Sequence, residues 1–204
     1  MLGEIGEQPV ALLRLLEQRA ELEAISSALA RRAPGVVRLV GHGTSDNAAS
    51  YGIYALGLLP GWTALRDSIS LTVYYGASID FGGSAVIALS QSGRTPDVVE
   101  YVTRARAGGA LTIALTNEPE SDLGRAAELV LPLAAGPELA VAATKTYLNE
   151  LAALALLAGG AVGRLHEVAD GLVVWRRSWP TRCRTSRPPS PPSRPRARSW
   201  GGCS

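Results

Sequence analysis

At 204 residues and 21.3 kDa the chain is long enough for one well-buried domain with appendages, and 47% hydrophobic against 5% aromatic residues favours an α/β domain over a sandwich. No apolar run reaches the roughly 18 uninterrupted residues of a membrane span, and Glu4 and Glu7 stand where a signal peptide would be basic, so a cytoplasmic location is expected. The net charge of +2 averages two unlike segments: residues 176–204 carry eight arginines and no acid, which leaves −6 on the rest, and both cysteines, Cys183 and Cys203, lie there too, so no disulfide or cysteine-based metal site is expected in the folded part.

Residues 9–32 read as one helix opened by Pro9, with Val10, Leu13, Leu16, Ala20, Leu22, Ile25 and Leu29 at helical spacing and Pro34-Gly35 as its stop. Residues 1–35 thus form an N-terminal helical segment. "VVRLV" (36–40) reads as a strand, "GHGTS" (41–45) as a loop, and Asp46 to Leu59 as a helix stopped by Pro60-Gly61. A strand near 62–66 and a short helix near 68–75 follow. Residues 84–89 are apolar enough for a strand buried on both faces, Pro96 to about Ala107 for a helix, and Gly108-Gly109 for its stop. Next come a strand (110–116), a short helix (Asp122 to Ala126), a strand (128–133) and a long apolar helix from about Ala142 to Ala158. Residues 161–175 read as a linker helix. Strands alternating with helices imply a three-layer αβα sandwich around a mostly parallel five-stranded sheet, flavodoxin-like in class.

Two loops attract attention because both follow the carboxyl ends of strands, where open α/β sheets hold their ligands. In "LSQSGRTPD" (89–97) the apolar run ends in Ser90, Gln91, Ser92 and Gly93, ahead of an N-cap at Thr95, a first-turn proline at Pro96, and Asp97 at the positive end of the helix dipole. Hydroxyls, an amide and unhindered backbone N–H groups before a helix N-terminus suit an anion. The same composition also suits an ordinary strand-to-helix turn that binds nothing.

"GHGTS", "LSQSGRTPD" and "PELAVAATKTY" (137–147) occur in the order and spacing of a sugar isomerase (SIS) domain. Over roughly residues 36–160 the chain resembles the isomerase part of the glutamine–fructose-6-phosphate transaminases, and still more the double-SIS group of glucosamine-6-phosphate deaminases and amino-sugar isomerases. The resemblance implies that Gly43, Thr44 and Ser45 line the first loop. It implies that Ser90, Gln91, Ser92, Gly93 and Thr95 cradle a sugar phosphate, with Val141 and Ala142 touching the sugar through backbone. Family members often carry Ser where this chain has Ala143. Thr144 and Lys145 fit the motif, Lys145 as a helix-start packing residue or as a ligand contact. Neutral donors satisfy a phosphate dianion without a fixed cation, and Arg94 reads as solvent-facing.

Aldose–ketose interconversion needs a base between C1 and C2 and an acid to open the ring. In the resembled enzymes these groups come largely from a second SIS domain and a C-terminal tail, both beyond this chain, and no N-terminal nucleophilic cysteine marks a glutaminase. No catalytic residue is assigned. His42 reads as an incidental loop histidine, His166 and Glu167 as linker residues, and Glu150 as a capping or interface carboxylate. No metal or cofactor is expected.

From Arg176 onward six prolines, six serines and eight arginines replace any hydrophobic period, which implies a disordered tail, read either as a basic nucleic-acid arm or as a GC-rich gene translated out of frame. The resemblance favours the second, with the tail in place of a second SIS domain. The function expected is binding of a hexose 6-phosphate, glucosamine 6-phosphate or fructose 6-phosphate, by the N-terminal half of an isomerase or deaminase. The alternatives are a single-SIS isomerase of the phosphoheptose type and a non-enzymatic sugar-phosphate sensor. A homodimer is expected; a membrane or a specific nucleic acid is not.

Overall fold

The computed structural model describes residues 1–140 and 142–179; the expectations for Val141 and for the arginine-rich residues after Trp179 fall outside them. The chain runs α1 (Leu2–Leu16), α2 (Arg19–Arg32), β1 (Val37–Val40), α3 (Thr44–Leu58), β2 (Ala64–Arg66), α4 (Ile69–Val73), β3 (Ala85–Ser90), α5 (Pro96–Ala107), β4 (Leu111–Thr116), α6 (Asp122–Ala126), β5 (Leu129–Pro132), α7 (Lys145–Ala161) and α8 (Leu165–Arg177). All strand pairs are parallel and their order is β2-β1-β3-β4-β5. A doubly wound sheet of that order reverses its direction of growth between β1 and β3, the switch point at which ligands settle in such folds.

The sheet is covered on both faces, as its uninterrupted apolar strands require. Ala85, Ile87 and Leu89 of β3 join Leu39, Ile113 and Leu115 in a core shared with α1, α2, α3, α7 and α8, whereas Val86 and Ala88 join Val40 and Ala114 against α4, α5 and α6. The period-two alternation of one strand thus feeds two cores. α7 is central to the larger one: Ala152, Ala153, Leu154, Leu156, Leu157 and Ala158 are buried, and α1, α2, α3 and α8 all pack on it.

Two expectations change. The single helix expected over 9–32 is two helices, and Pro9 lies inside α1 rather than opening it. A continuous helix over residues 2–32 would run about 46 Å against about 25 Å for α7. Breaking at Glu17-Gln18, where Gln18 leaves helical geometry at ψ 44°, lets both halves lay an apolar face on α7. The long helix begins at Lys145 rather than near Ala142, because Glu138 folds back over its start. The Glu138 carboxylate accepts from Thr144 N–H at 3.0 Å, Thr144 Oγ at 2.9 Å and Thr146 N–H at 2.8 Å. It thereby caps donors that a helix leaves unpaired.

Candidate functional site

The loops after β1 and β3 open a cavity of about 260 Å³ lined by His42, Gly43, Thr44, Ser45, Leu89, Ser90, Gln91, Ser92, Thr95 and Ala143. Adjacent strands set this up: Val40 pairs with Ala88, so both chains leave the sheet side by side, at the N-termini of α3 and α5. The close approach crowds Gly41, where a Cβ would lie 3.0 Å from the Leu89 carbonyl oxygen.

The second loop is held by its own backbone. Gly93 has φ +62°, and a methyl there would sit 1.9 Å from Ser121 Oγ. Its N–H donates to Ser90 Oγ at 3.1 Å, its carbonyl accepts from Leu123 N–H at 2.9 Å, and Asn117 N–H donates to the Gln91 carbonyl at 3.2 Å. Accepting that bond leaves Ser90 its own O–H to donate, and Ser92, which accepts from Arg94 N–H at 3.4 Å, is in the same position. Thr95 is the N-cap of α5, yet its hydroxyl makes no capping bond and stands beside the cavity. Neutral donors gathered at the positive ends of two helices form an arrangement suited to an anion.

The charges nearby are few. His42 Nε2 and Asp97 Oδ2 are 2.7 Å apart, and Tyr74 OH donates to the same oxygen at 3.3 Å. Burial raises the Asp97 pKa, but the His42, Tyr74 and Val98 N–H bonds outweigh it and hold the carboxyl below its ordinary value. The Tyr74 hydroxyl, facing that negative charge, is pushed up. Arg94 is exposed and outside the cavity lining. A neighbouring cavity of about 260 Å³, lined by Gly41, His42, Asp46, Arg66, Asp67, Ser68, Ile69 and Ser70, shares His42 with the first. Among the described residues no group of three or more His, Cys, Asp and Glu is placed to hold a metal ion.

Seven residues singled out from the sequence, Gly43, Thr44, Ser45, Ser90, Gln91, Ser92 and Thr95, meet at this cavity. Gly93 lies behind it, packed on Ser121, and Ala142 is exposed and outside the lining, where Ala143 takes its place. Lys145 is buried and its ammonium group pairs with Glu7 of α1, away from the cavity. Glu150 is neither a cap nor an interface carboxylate: it is fully buried and receives the Ser45 hydroxyl at 2.7 Å on Oε1. Nothing in a run as apolar as "NELAALALL" marked that glutamate as the floor of a loop more than a hundred residues earlier.

The SIS domain family matches residues 36–159. The chain belongs to the SIS domain family. This SIS chain is 41% identical over 169 residues to a glutamine–fructose-6-phosphate aminotransferase (isomerizing) of Aeropyrum pernix, covering 81% of this chain and 27% of the relative. It therefore spans about a quarter of the length of the curated relatives it matches. A solved structure from Silicibacter pomeroyi DSS-3, assigned to the phosphosugar isomerases, superposes with a TM-score of 0.79 at 33% identity, over 88% of this chain and 57% of that one. The C-terminal domain of a glucosamine–fructose-6-phosphate aminotransferase from Francisella tularensis shares the fold, with a TM-score of 0.73 at 24% identity over 87% of this chain and 54% of that one.

Proposed function

We propose that this SIS domain binds a hexose 6-phosphate, glucosamine 6-phosphate or fructose 6-phosphate, as the phosphosugar-holding half of an amino-sugar isomerase or deaminase. The observation that carries the reading is the cavity at the β1/β3 switch point, where Ser90, Gln91, Ser92 and Thr95 converge with Thr44 and Ser45 and, among the described residues, no lysine or arginine joins the lining. Such a cradle holds a phosphate dianion by hydroxyl, amide and helix-end donors. The relatives named for fructose 6-phosphate chemistry and phosphosugar isomerisation support the same ligand class. The reading places the phosphate on the second loop and the sugar toward Thr44, Ser45 and Ala143.

Large apolar side chains left exposed on α3 and just after α4, Tyr54, Leu58 and Tyr75 among them, support assembly into a homodimer. Among the described residues no helix is long and apolar enough to cross a membrane. Thermal unfolding with added glucosamine 6-phosphate, fructose 6-phosphate, the unphosphorylated sugars and inorganic phosphate tests the proposal. The phosphorylated sugars raise the midpoint by mass action and the free sugars leave it unchanged. Equal shifts from phosphorylated and free sugars sink it.

A further inference from the structure

Glu150 is an acid where the fold offers it almost nothing. α7 carries it beneath the first loop, fully buried, with Oε1 2.7 Å from Ser45 Oγ. Its other oxygen, Oε2, is buried without a hydrogen-bond partner among the described residues. The groups around it do not neutralise a charge. α3 brings the Ser45 hydroxyl, and the loop ahead of α7 brings Glu138, a like charge. The Lys145 ammonium, on the same helix, is taken by Glu7 of α1, and no group of α2 or α8 contributes to the titration of Glu150. An ionised carboxylate buried with one hydrogen bond and no counter-charge is costly, whereas the neutral acid is not. Burial, opposed by the Ser45 bond and aided by Glu138, pushes the Glu150 carboxyl up to about 8.

The place of the proton then follows from the contacts. As a carboxylate, Glu150 accepts from the Ser45 hydroxyl on Oε1 at 2.7 Å; a proton on Oε2 would have no acceptor, whereas a proton on Oε1 would be donated to Ser45 Oγ, reversing that bond. A serine oxygen that accepts there keeps its own O–H for another partner, and Ser45 lines the cavity. When Glu150 ionises, the same contact reverses. Ser45 must then donate to the carboxylate and can offer the cavity only lone pairs.

We propose that Glu150 is a positioning residue that sets the polarity of Ser45: as the neutral acid it turns the Ser45 hydroxyl into a donor toward an oxygen of the bound ligand, and as the carboxylate it turns Ser45 into an acceptor backed by a buried negative charge. The ligand half of this proposal rests on the phosphosugar reading. Affinity for a hexose 6-phosphate is highest below the Glu150 transition and falls as the pH rises through it. Glu150→Gln places an amide N–H₂ in the same volume and keeps Ser45 a donor at every pH.

Two measurements on the full chain separate the parts. The first needs no ligand: the infrared carboxyl C=O band of wild-type protein with isotopically labelled glutamate, followed from about pH 6 to about pH 9 and assigned by its absence in folded Glu150→Gln. A protonated-acid band present near neutrality that fades through the upper part of this range is expected; a band already in the carboxylate position at neutral pH overturns the proposal. The second is the affinity for glucosamine 6-phosphate over the same range. The ratio of wild-type to Glu150→Gln affinity should fall about tenfold across the transition, the worth of one hydrogen bond to a charged group, and Ser45→Ala should abolish the pH-dependent part with Glu150 intact. Parallel wild-type and Glu150→Gln profiles overturn it. A protonated Glu150 in a chain that binds no hexose phosphate at any pH overturns the ligand half through failure of the phosphosugar reading, and the infrared band shows that the acid is not at fault.

Discussion

The two loops that face each other across the switch point are held by opposite means. The loop after β3 is fixed by shape: Gly93 is wedged against Ser121 at positive φ, and backbone bonds to Asn117 and Leu123 fasten it to the segment after β4. The loop after β1 leaves Gly43 and His42 exposed and is held by side chains that end on acids, His42 on Asp97 and, from below, Ser45 on Glu150. The difference assigns different tasks. A loop defined by backbone packing presents the same donors under all conditions, whereas a loop resting on titratable side chains changes what it presents when one of them, the buried Glu150, changes.

Breaking the rigid loop should have the largest consequence. Gly93→Ala adds a methyl 1.9 Å from Ser121 Oγ and 2.6 Å from its Cβ at a φ of +62°, so a loss on the order of 3 kcal/mol and a collapse of ligand affinity are expected, measured by chemical unfolding and titration. Adding Ser121→Gly should relieve the clash with that side chain but leave about 1 kcal/mol of backbone strain. Next come the individual donors. Ser90→Ala, Ser92→Ala and Thr95→Ala should each cost about 1.5–3 kcal/mol in binding a phosphorylated sugar; Ser92→Ala and Thr95→Ala should leave unfolding little changed, since neither residue is buried, whereas Ser90→Ala should also cost about 1 kcal/mol in stability because buried Ser90 Oγ accepts the Gly93 N–H.

The two buried or half-buried glutamates near α7 sharpen the comparison through pH. Burial raises the Glu138 pKa, but the Thr146 and Thr144 bonds prevail and hold it below its ordinary value. Its contribution to stability is present above the unfolded carboxylate range and is lost as the pH falls through the folded value. Glu150 has the opposite sign: below its ordinary 4.5 both states hold the proton, and between there and about 8 only the unfolded state releases it, so stability declines as the pH rises. Glu138→Ala should therefore cost about 1 kcal/mol at neutral pH, as loss of a helix cap, and flatten the acid limb of a stability profile, while Glu150→Gln should flatten the neutral limb. Unfolding curves across pH check both. His42→Ala should have the smallest effect, about 0–1 kcal/mol in stability, because the imidazole is half-exposed in its pair with Asp97.

The sheet was legible because its strands are short apolar runs ended by small polar residues; "AVIAL" and "LTIALT" are buried along their whole length, as such runs imply. The break between α1 and α2 was not, since Glu17-Gln18 carries no glycine or proline and only the extent of α7 decides where the chain must turn. The start of α7 was hidden for a similar reason: Glu138 reaches forward to cap it, a contact that helical periodicity does not record. At the site, the donors of the β3 loop were readable from Ser90, Gln91, Ser92 and Thr95 as residue types, but the wedge at Gly93 depends on Ser121 and the floor under Ser45 depends on Glu150. Both partners come from distant segments that the fold alone brings there.

The central claim is that the cavity between these loops holds a phosphorylated hexose. Its most direct measurement is a titration of the isotopically labelled chain with glucosamine 6-phosphate, following backbone amide shifts residue by residue against glucosamine as control. Saturable shifts concentrated at Ser90 to Thr95 and at Thr44-Ser45, absent with glucosamine, are the result expected. Shifts confined to other surfaces, or identical shifts with the unphosphorylated sugar, would contradict it.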